Sequence, residues 1–273
     1  MKRIFFNLSV DTEQDLHSSV YTGITEGLPL LNSVLKKYGV SPTLFVTGDC
    51  LEKYPKLFQQ YAKTNWEISL HGYRHVRYDQ LTLPQQKEQF KKGVTLFQNI
   101  LKFKPTGFRA PQHSINDSAF QLLPSFGFHY DSSYTPRNLL QVLFFTKFWK
   151  SQLKHAFSPS KPYCISPTFS EIPPSSFILP LTGFPLSVLP LFFFKRLFDL
   201  IHFFTPKNGI ILFYFHSWSL IPLKSKVQKY CPPENFLWKM EQFLAYALRK
   251  SQPITLEKYA HFLTAVTYKK NPK

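Results

Sequence analysis

Apolar residues fall in short runs along this chain, and most runs end in a polar group or give way to helical spacing. Residues 4–10 (IFFNLSV) form a strand pattern that closes on Asp11, Thr12 and Glu13. Residues 26–38 (EGLPLLNSVLKKY) then place Leu28, Leu31, Leu35 and Tyr38 on one helical face, with Gly39 as the stop. The run 43–47 (TLFVT) is rich in β-branched and aromatic residues, as a strand requires. The order repeats: 55–64 predicts a helix with proline near its start, 66–70 a strand, and 84–101 a long amphipathic helix. Strand ends follow at 107–109 and 128–130, with a helix over 116–125 between them. A strand over 210–215 and an amphipathic helix over 234–250 come later, and 268–273 reads as a frayed basic tail. Strands alternating with helices predict an α/β domain, a mostly parallel sheet or barrel with helices outside.

Such folds place their chemistry at the carboxyl ends of the strands. Asp11, His71, Arg109, Asp131 and His216 all stand at predicted strand ends, so on a closed barrel they converge on one rim. The stretch HGYRH adds a second imidazole, His75, four residues after His71. If a helical turn begins there, both rings project from one side and can share a metal ion.

Residues 137–207 break the rhythm and are expected to be irregular, rich in phenylalanine and proline. Within them the uncharged run 177–194 (FILPLTGFPLSVLPLFFF) has the length of a membrane span. Pro180, Pro185 and Pro190 argue against one continuous helix, which leaves a wall of the site or core, or a face lying on a membrane surface.

Composition sharpens this picture at three points. A length of 273 residues suits one large domain, and 29 Phe, mostly after residue 140, exceed what a core needs. The formal charge of +17 predicts affinity for phosphate or anionic lipid, while no nucleic-acid-binding motif accompanies it. Cys50, Cys164 and Cys231 are too few and too scattered for a disulfide framework, which predicts a reducing, cytoplasmic setting. The N-terminus reads as the first strand and not as a signal peptide. His113, His155, His202 and the lysines at 224–226 have no motif around them and are read as surface.

The motifs VDTE at 10–13, HGYRH at 71–75, GFRAP at 107–111, YDSS at 130–133 and YFHSW at 214–218 resemble, in order, those of the polysaccharide deacetylases (NodB-homology, carbohydrate esterase family 4), over residues 4 to about 260. The resemblance implies a single-domain distorted (β/α) barrel that hydrolyses an N-acyl group on an aminosugar, usually with a divalent metal, zinc first. It implies Glu13, His71 and His75 as ligands, Asp11 as general base paired with Arg109, and His216 as general acid tuned by Asp131. These roles make chemical sense: amide hydrolysis needs an activated water, charge stabilisation and a proton for the leaving amine. Trp218 is a candidate wall for the acyl methyl.

Two departures matter. Thr12 occupies the place of the family's second aspartate, and the acid comes one residue later as Glu13, on the same strand face as Asp11. This D-x-E form resembles a subgroup with members that do without metal. Gln112 replaces the aromatic that often follows the third motif's proline. Residues 22–49 also resemble, in their EGxPxLL helix, deformylases of a lipid-phosphate-linked aminosugar. The sequence therefore predicts an amidohydrolase acting on an acetylated or formylated aminosugar, lipid- or nucleotide-linked, and peripheral at an inner membrane face. The alternative is a silent carbohydrate- or lipid-binding module on the same barrel.

Overall fold

The computed structural model describes residues 2–16, 18–136, 158–223 and 232–269. Among the described residues nine strands form one sheet: β1 Phe5–Thr12, β2 Thr43–Val46, β3 Glu67–Leu70, β4 Gly107–Phe108, β5 Tyr130–Asp131, β6 Tyr163–Ser166, β7 Phe169–Glu171, β8 Ile210–His216 and β9 Gln252–Pro253. The spatial order is β6-β7-β5-β4-β3-β2-β1-β8, with β9 added to β1. Every pairing is parallel except β6 with β7. The sheet curls into a half-barrel. The segment after β7 crosses to the free edge of β8, where Thr182 bridges to Tyr214 and the Ser175 amide donates to the Leu212 carbonyl.

Strand alternation separates two interiors. On β1, Phe6, Leu8 and Val10 face the helices and join the main core. Phe5 instead joins a smaller cluster with Phe45, Tyr130, Ile210 and Leu212. The helices α1 Leu28–Tyr38, α2 Gly48–Lys53, α3 Pro55–Ala62, α4 Leu83–Leu101 and α5 Asp117–Leu122 carry the first half of the chain. Their ends follow local chemistry. Gly39 closes α1 at φ 62°, and Thr82 with Gln85 forms a capping box at the start of α4.

The second half holds α6 Gly183–Val188, α7 Leu191–Phe204, α8 Pro233–Leu248 and α9 Leu256–Lys269. Much of its phenylalanine is core. Phe243 meets Phe6, Phe194, Phe198 and Phe213 at centroid distances of 6.0, 4.8, 5.5 and 5.1 Å. At the amino ends of the strands, α9 stoppers the barrel: the Leu256 amide donates to Thr43 Oγ1 and the Glu257 amide to the Glu67 carboxylate.

Two sequence expectations, the irregular segment and the frayed tail, are corrected. The described part of 137–207 is regular, holding β6, β7, α6 and α7, because Pro185 sits in the first turn of α6 and Pro190 just before α7, where proline is tolerated; residues 137–157 lie outside the described residues. Among the described residues no helix is long and apolar enough to cross a membrane. Tyr268 and Lys269 end α9, so the expected frayed tail is helical up to there; 270–273 lie outside the described residues.

Replacing Phe243 by Ala removes the hub of the aromatic core and is expected to cost about 3–5 kcal/mol. Urea unfolding of the purified variant checks this, and a loss below about 1 kcal/mol would show that the cluster is not a shared support.

Candidate active site

The inward positions of β1 grade from apolar to acidic: Phe5, Asn7, Ser9, Asp11 and then Glu13 just past the strand. Arg109 follows β4 and is completely buried. Its Nη1 donates to Asp11 Oδ1 at 2.6 Å and to Ser9 Oγ at 3.1 Å; Nη2 donates to Ser132 Oγ at 3.0 Å and Nε to the Ser132 carbonyl at 3.2 Å. Its guanidinium also lies 4.1 Å from the Phe45 ring centre and 5.0 Å from that of Tyr214. Burial pushes the Asp11 carboxyl up, but Arg109 and the nearby His71, His216 and His113 outweigh it and hold Asp11 below the usual carboxylate value. Asp11 is thus an ionised, fixed acceptor.

Glu13 is the meeting point of the rim. His75 Nε2 lies 2.6 Å and His71 Nε2 3.5 Å from its Oε2, while Trp218 Nε1 donates to Oε1 at 3.1 Å and His216 Nε2 stands 3.8 Å from that oxygen. Burial would raise the Glu13 carboxyl, yet the hydrogen bonds from His71 and His75, with the charges of His216 and His75, hold it well below the usual value. The HGYRH turn explains the pair of imidazoles. Gly72 at φ 85° lets the chain double back after β3, so that the rings of His71 and His75 come 5.7 Å apart. His71 Nδ1 is 2.8 Å from the Arg109 carbonyl and Nε2 faces Glu13; with a metal ion between them, a proton on Nδ1 would leave the Nε2 lone pair as the ligand. The ligand atoms of Glu13, His71 and His75 lie within 4.8 Å of one another, and two imidazoles with one carboxylate suit a divalent ion such as zinc. His216 is held by its stack on Trp218, 4.5 Å between centroids at 15°.

Comparison with known proteins fits this geometry. Residues 15–130 match the family model for polysaccharide deacetylase. Over these residues the chain is similar to the polysaccharide deacetylases. A peptidoglycan deacetylase-like protein of Gibberella zeae, FGM2, is 32% identical over 121 residues, 44% of this chain and 36% of that protein. The peptidoglycan deacetylase of Helicobacter pylori is 28% identical over 123 residues, 45% of this chain and 42% of that one. The chain thus spans only about two fifths of the length of these curated relatives. A Mycobacterium smegmatis structure assigned to the polysaccharide deacetylases superposes with a TM-score of 0.71 at 17% identity, over 97% of this chain and 92% of that one. That likeness shows the same fold, a distorted (β/α) barrel.

The family-model match ends at residue 130 and starts after Glu13, so Asp11, Glu13 and His216 rest on their geometry. Asp131 needs correction: it does not meet His216. In the β4–β5 register Tyr130 pairs with Gly107 and Asp131 with Phe108, so Tyr130 and Ser132 turn inward while Asp131 turns to the outer face. There it accepts from the Ser133 hydroxyl at 2.7 Å and sits beside its register partner Glu171. Burial, the neighbouring Asp131 charge and the hydrogen bond they share push Glu171 well above the usual glutamate value, so this pair holds a proton. His113 is not on the surface either. It is buried at φ 54°, with Nδ1 3.2 Å from the Ser133 carbonyl and its ring 5.1 Å from that of Tyr214. Burial and the Arg109 charge drive it down to about 3, so it stays neutral. His202 is half-buried against the Lys250 carbonyl, and His155 and 224–226 lie outside the described residues. Ser9 and Ser132, which fix Arg109, were visible only as small polar residues on the inward rows; nothing in the sequence marked His113.

The Glu171 proton gives a pH test. Above the ordinary glutamate value of 4.5 the unfolded chain releases a proton that folded Glu171 keeps, so stability falls as pH rises until the folded value is passed. The slope reaches at most about 1.4 kcal/mol per pH unit. Glu171→Gln, which can still donate to Asp131, is expected to flatten it in unfolding titrations across neutral pH; an unchanged slope would show that no proton is retained.

Proposed function

We propose that this chain is an amidohydrolase that removes an acetyl or formyl group from the nitrogen of an aminosugar. One observation carries the reading. A buried Asp11–Arg109 pair sits directly beside the Glu13, His71 and His75 ligand set, with His216 across from it, all at one rim of the barrel. Glu13, His71 and His75 would hold a divalent ion, zinc in our reading, whose charge acidifies a water and polarises the acyl carbonyl.

The chain's own groups supply the rest. Asp11, kept ionised by Arg109, takes the proton of the attacking water. Arg109 does not move, because four hydrogen bonds and two aromatic rings hold it. His216, oriented by Trp218, delivers the proton to the departing nitrogen. Trp218 cannot swing freely while its indole nitrogen donates to Glu13, so it serves as a fixed wall beside the acyl group. The finer reading is a lipid- or nucleotide-linked aminosugar and a peripheral, cytoplasmic placement, supported by the charge of +17 and the EGLPLL helix.

Elemental analysis of wild type, His71→Ala and Glu13→Ala comes first. A near-stoichiometric divalent ion in wild type and its loss in both variants is the expected result. Asp11→Asn is expected to keep the ion and lose at least about 100-fold in hydrolysis of N-acetylated aminosugars. Wild-type turnover in His71→Ala would overturn the ligand assignment, and activity without any ion would assign the D-x-E form to metal-free hydrolysis. A loaded protein that turns over no acylated aminosugar would be the silent binding module instead.

His216→Ala is expected to slow amides more than activated esters, whose leaving groups need no proton. Equal losses on both would remove His216 from the acid role.

A further inference from the structure

Helix α7 is apolar on both sides. Phe194, Leu197, Phe198 and Ile201 are buried in the core, whereas Phe192, Phe193, Leu200, Phe203 and Phe204 are exposed on the opposite face, Phe203 by 74%. Phe184 on α6 extends the patch at 62% exposure. Isolated exposed phenylalanines need no explanation, but five on neighbouring elements form a surface that water does not favour.

The charges around this face have one sign. On α7 and the turn after it the acid is Asp199, against the described cations Lys195, Arg196 and Lys207. Asp199 is already spent within the protein: Lys250 Nζ and the Tyr246 hydroxyl donate to it at 2.6 and 2.8 Å, and Arg196 stands at 3.4 Å. Lysines also sit at the helix ends. Lys2 Nζ donates to the Phe203 carbonyl at 3.0 Å, and Lys239 Nζ to the Ser187 carbonyl at 2.9 Å. An aromatic face flanked by cations, its own acid Asp199 already paired, matches the boundary of an anionic bilayer, where rings enter among acyl chains and amines meet phosphates.

We propose that the outer face of α6 and α7 docks on an anionic lipid bilayer. The contact is peripheral: α7 has 14 residues, about 21 Å of helix against a hydrocarbon core of about 30 Å. The face adjoins the active-site rim, because Thr182, the residue before α6, bridges to Tyr214 two positions before His216, and α7 runs back down the barrel from that end. Docking here sets the rim beside the membrane. A sugar carried on a lipid phosphate would be within reach, which deepens the proposed function without resting on it.

The test is co-sedimentation of the full chain with vesicles of phosphatidylcholine alone or mixed with phosphatidylglycerol. Binding to the mixed vesicles, weakening with salt and absent on phosphatidylcholine, is expected. Phe192→Ser with Phe203→Ser should weaken it by about tenfold or more, and each of Lys195→Gln and Lys207→Gln by about fivefold. Both phenylalanines are exposed, so the double variant should fold and keep its turnover of a water-soluble substrate. No binding by wild type, or equal binding by the double variant, overturns the proposal. So does a wild-type dimer that the double variant breaks, since the face would then belong to a second copy. None of these outcomes depends on catalysis, so the docking and the hydrolase readings fail separately.

Discussion

A guanidinium shut away from water has to be paired at nearly every donor, or the structure around it fails. Arg109 meets that condition with Asp11, Ser9 and Ser132, which come from β1 and from the end of β5. The charge therefore ties three strands together at the level where the chemistry would occur, and its carbonyl also takes the Nδ1 of His71. One residue fixes the proposed general base through its side chain and a proposed metal ligand through its backbone. Stability and the proposed catalysis are joined here: neutralising Asp11 would withdraw that base and also leave Arg109 with an uncompensated charge. An amide at position 11 keeps the acceptor oxygen, which is why Asn separates the two effects better than Ala.

The rim around this pair shows how strand parity sorts function from support. Inward positions hold Asp11, Arg109, Ser132 and His216, while the outward Asp131 joins Glu171 and Ser133. One register step separates a group that faces the site from one that buttresses its wall. Asp131 and Glu171 share a proton behind the strand whose next residue, Ser132, grips Arg109. Keeping one of the two carboxyls neutral avoids placing a second net negative charge behind Arg109, so that its positive charge is left to Asp11.

Much of the barrel was legible because its strands are short, apolar and separated by helices with clear stops such as Gly39. The ends of β1, β3, β4 and β8 could be read from where polar residues interrupt apolar runs. Three things escaped that reading. Helix α9 carries Leu256, Tyr259, Ala260 and Leu263 at helical spacing but was not read as a helix, and its place is set by contacts from a distance, Thr43 and Glu67 receiving its first amides. The Asp131 partner escaped because β5 is only two residues long, too short for alternation to reveal which residue faces inward. His113 was missed for a related reason: its burial depends on a left-handed turn at Gln112 and His113, and neither residue type announces a positive φ.

The phenylalanine excess has two explanations that differ in kind. Phe194, Phe198, Phe213 and Phe243 pack edge to face and are what a core between α7, α8 and the sheet needs. Phe192, Phe193, Phe203 and Phe204 do nothing for that core. A helix that only had to cover the sheet would carry polar residues at those positions, since they stabilise the folded state as well and keep copies of the chain apart. The prolines before α7 bear on the same question. By ending each apolar run within a few residues they prevent one long spanning helix, yet they leave two short helices whose rings face outward beside the rim. On the proposed docking, the sequence in this region is apolar enough to meet lipid and too broken to cross it, and the scarcity of acids between Glu171 and Glu234, Asp199 alone, would select an anionic surface.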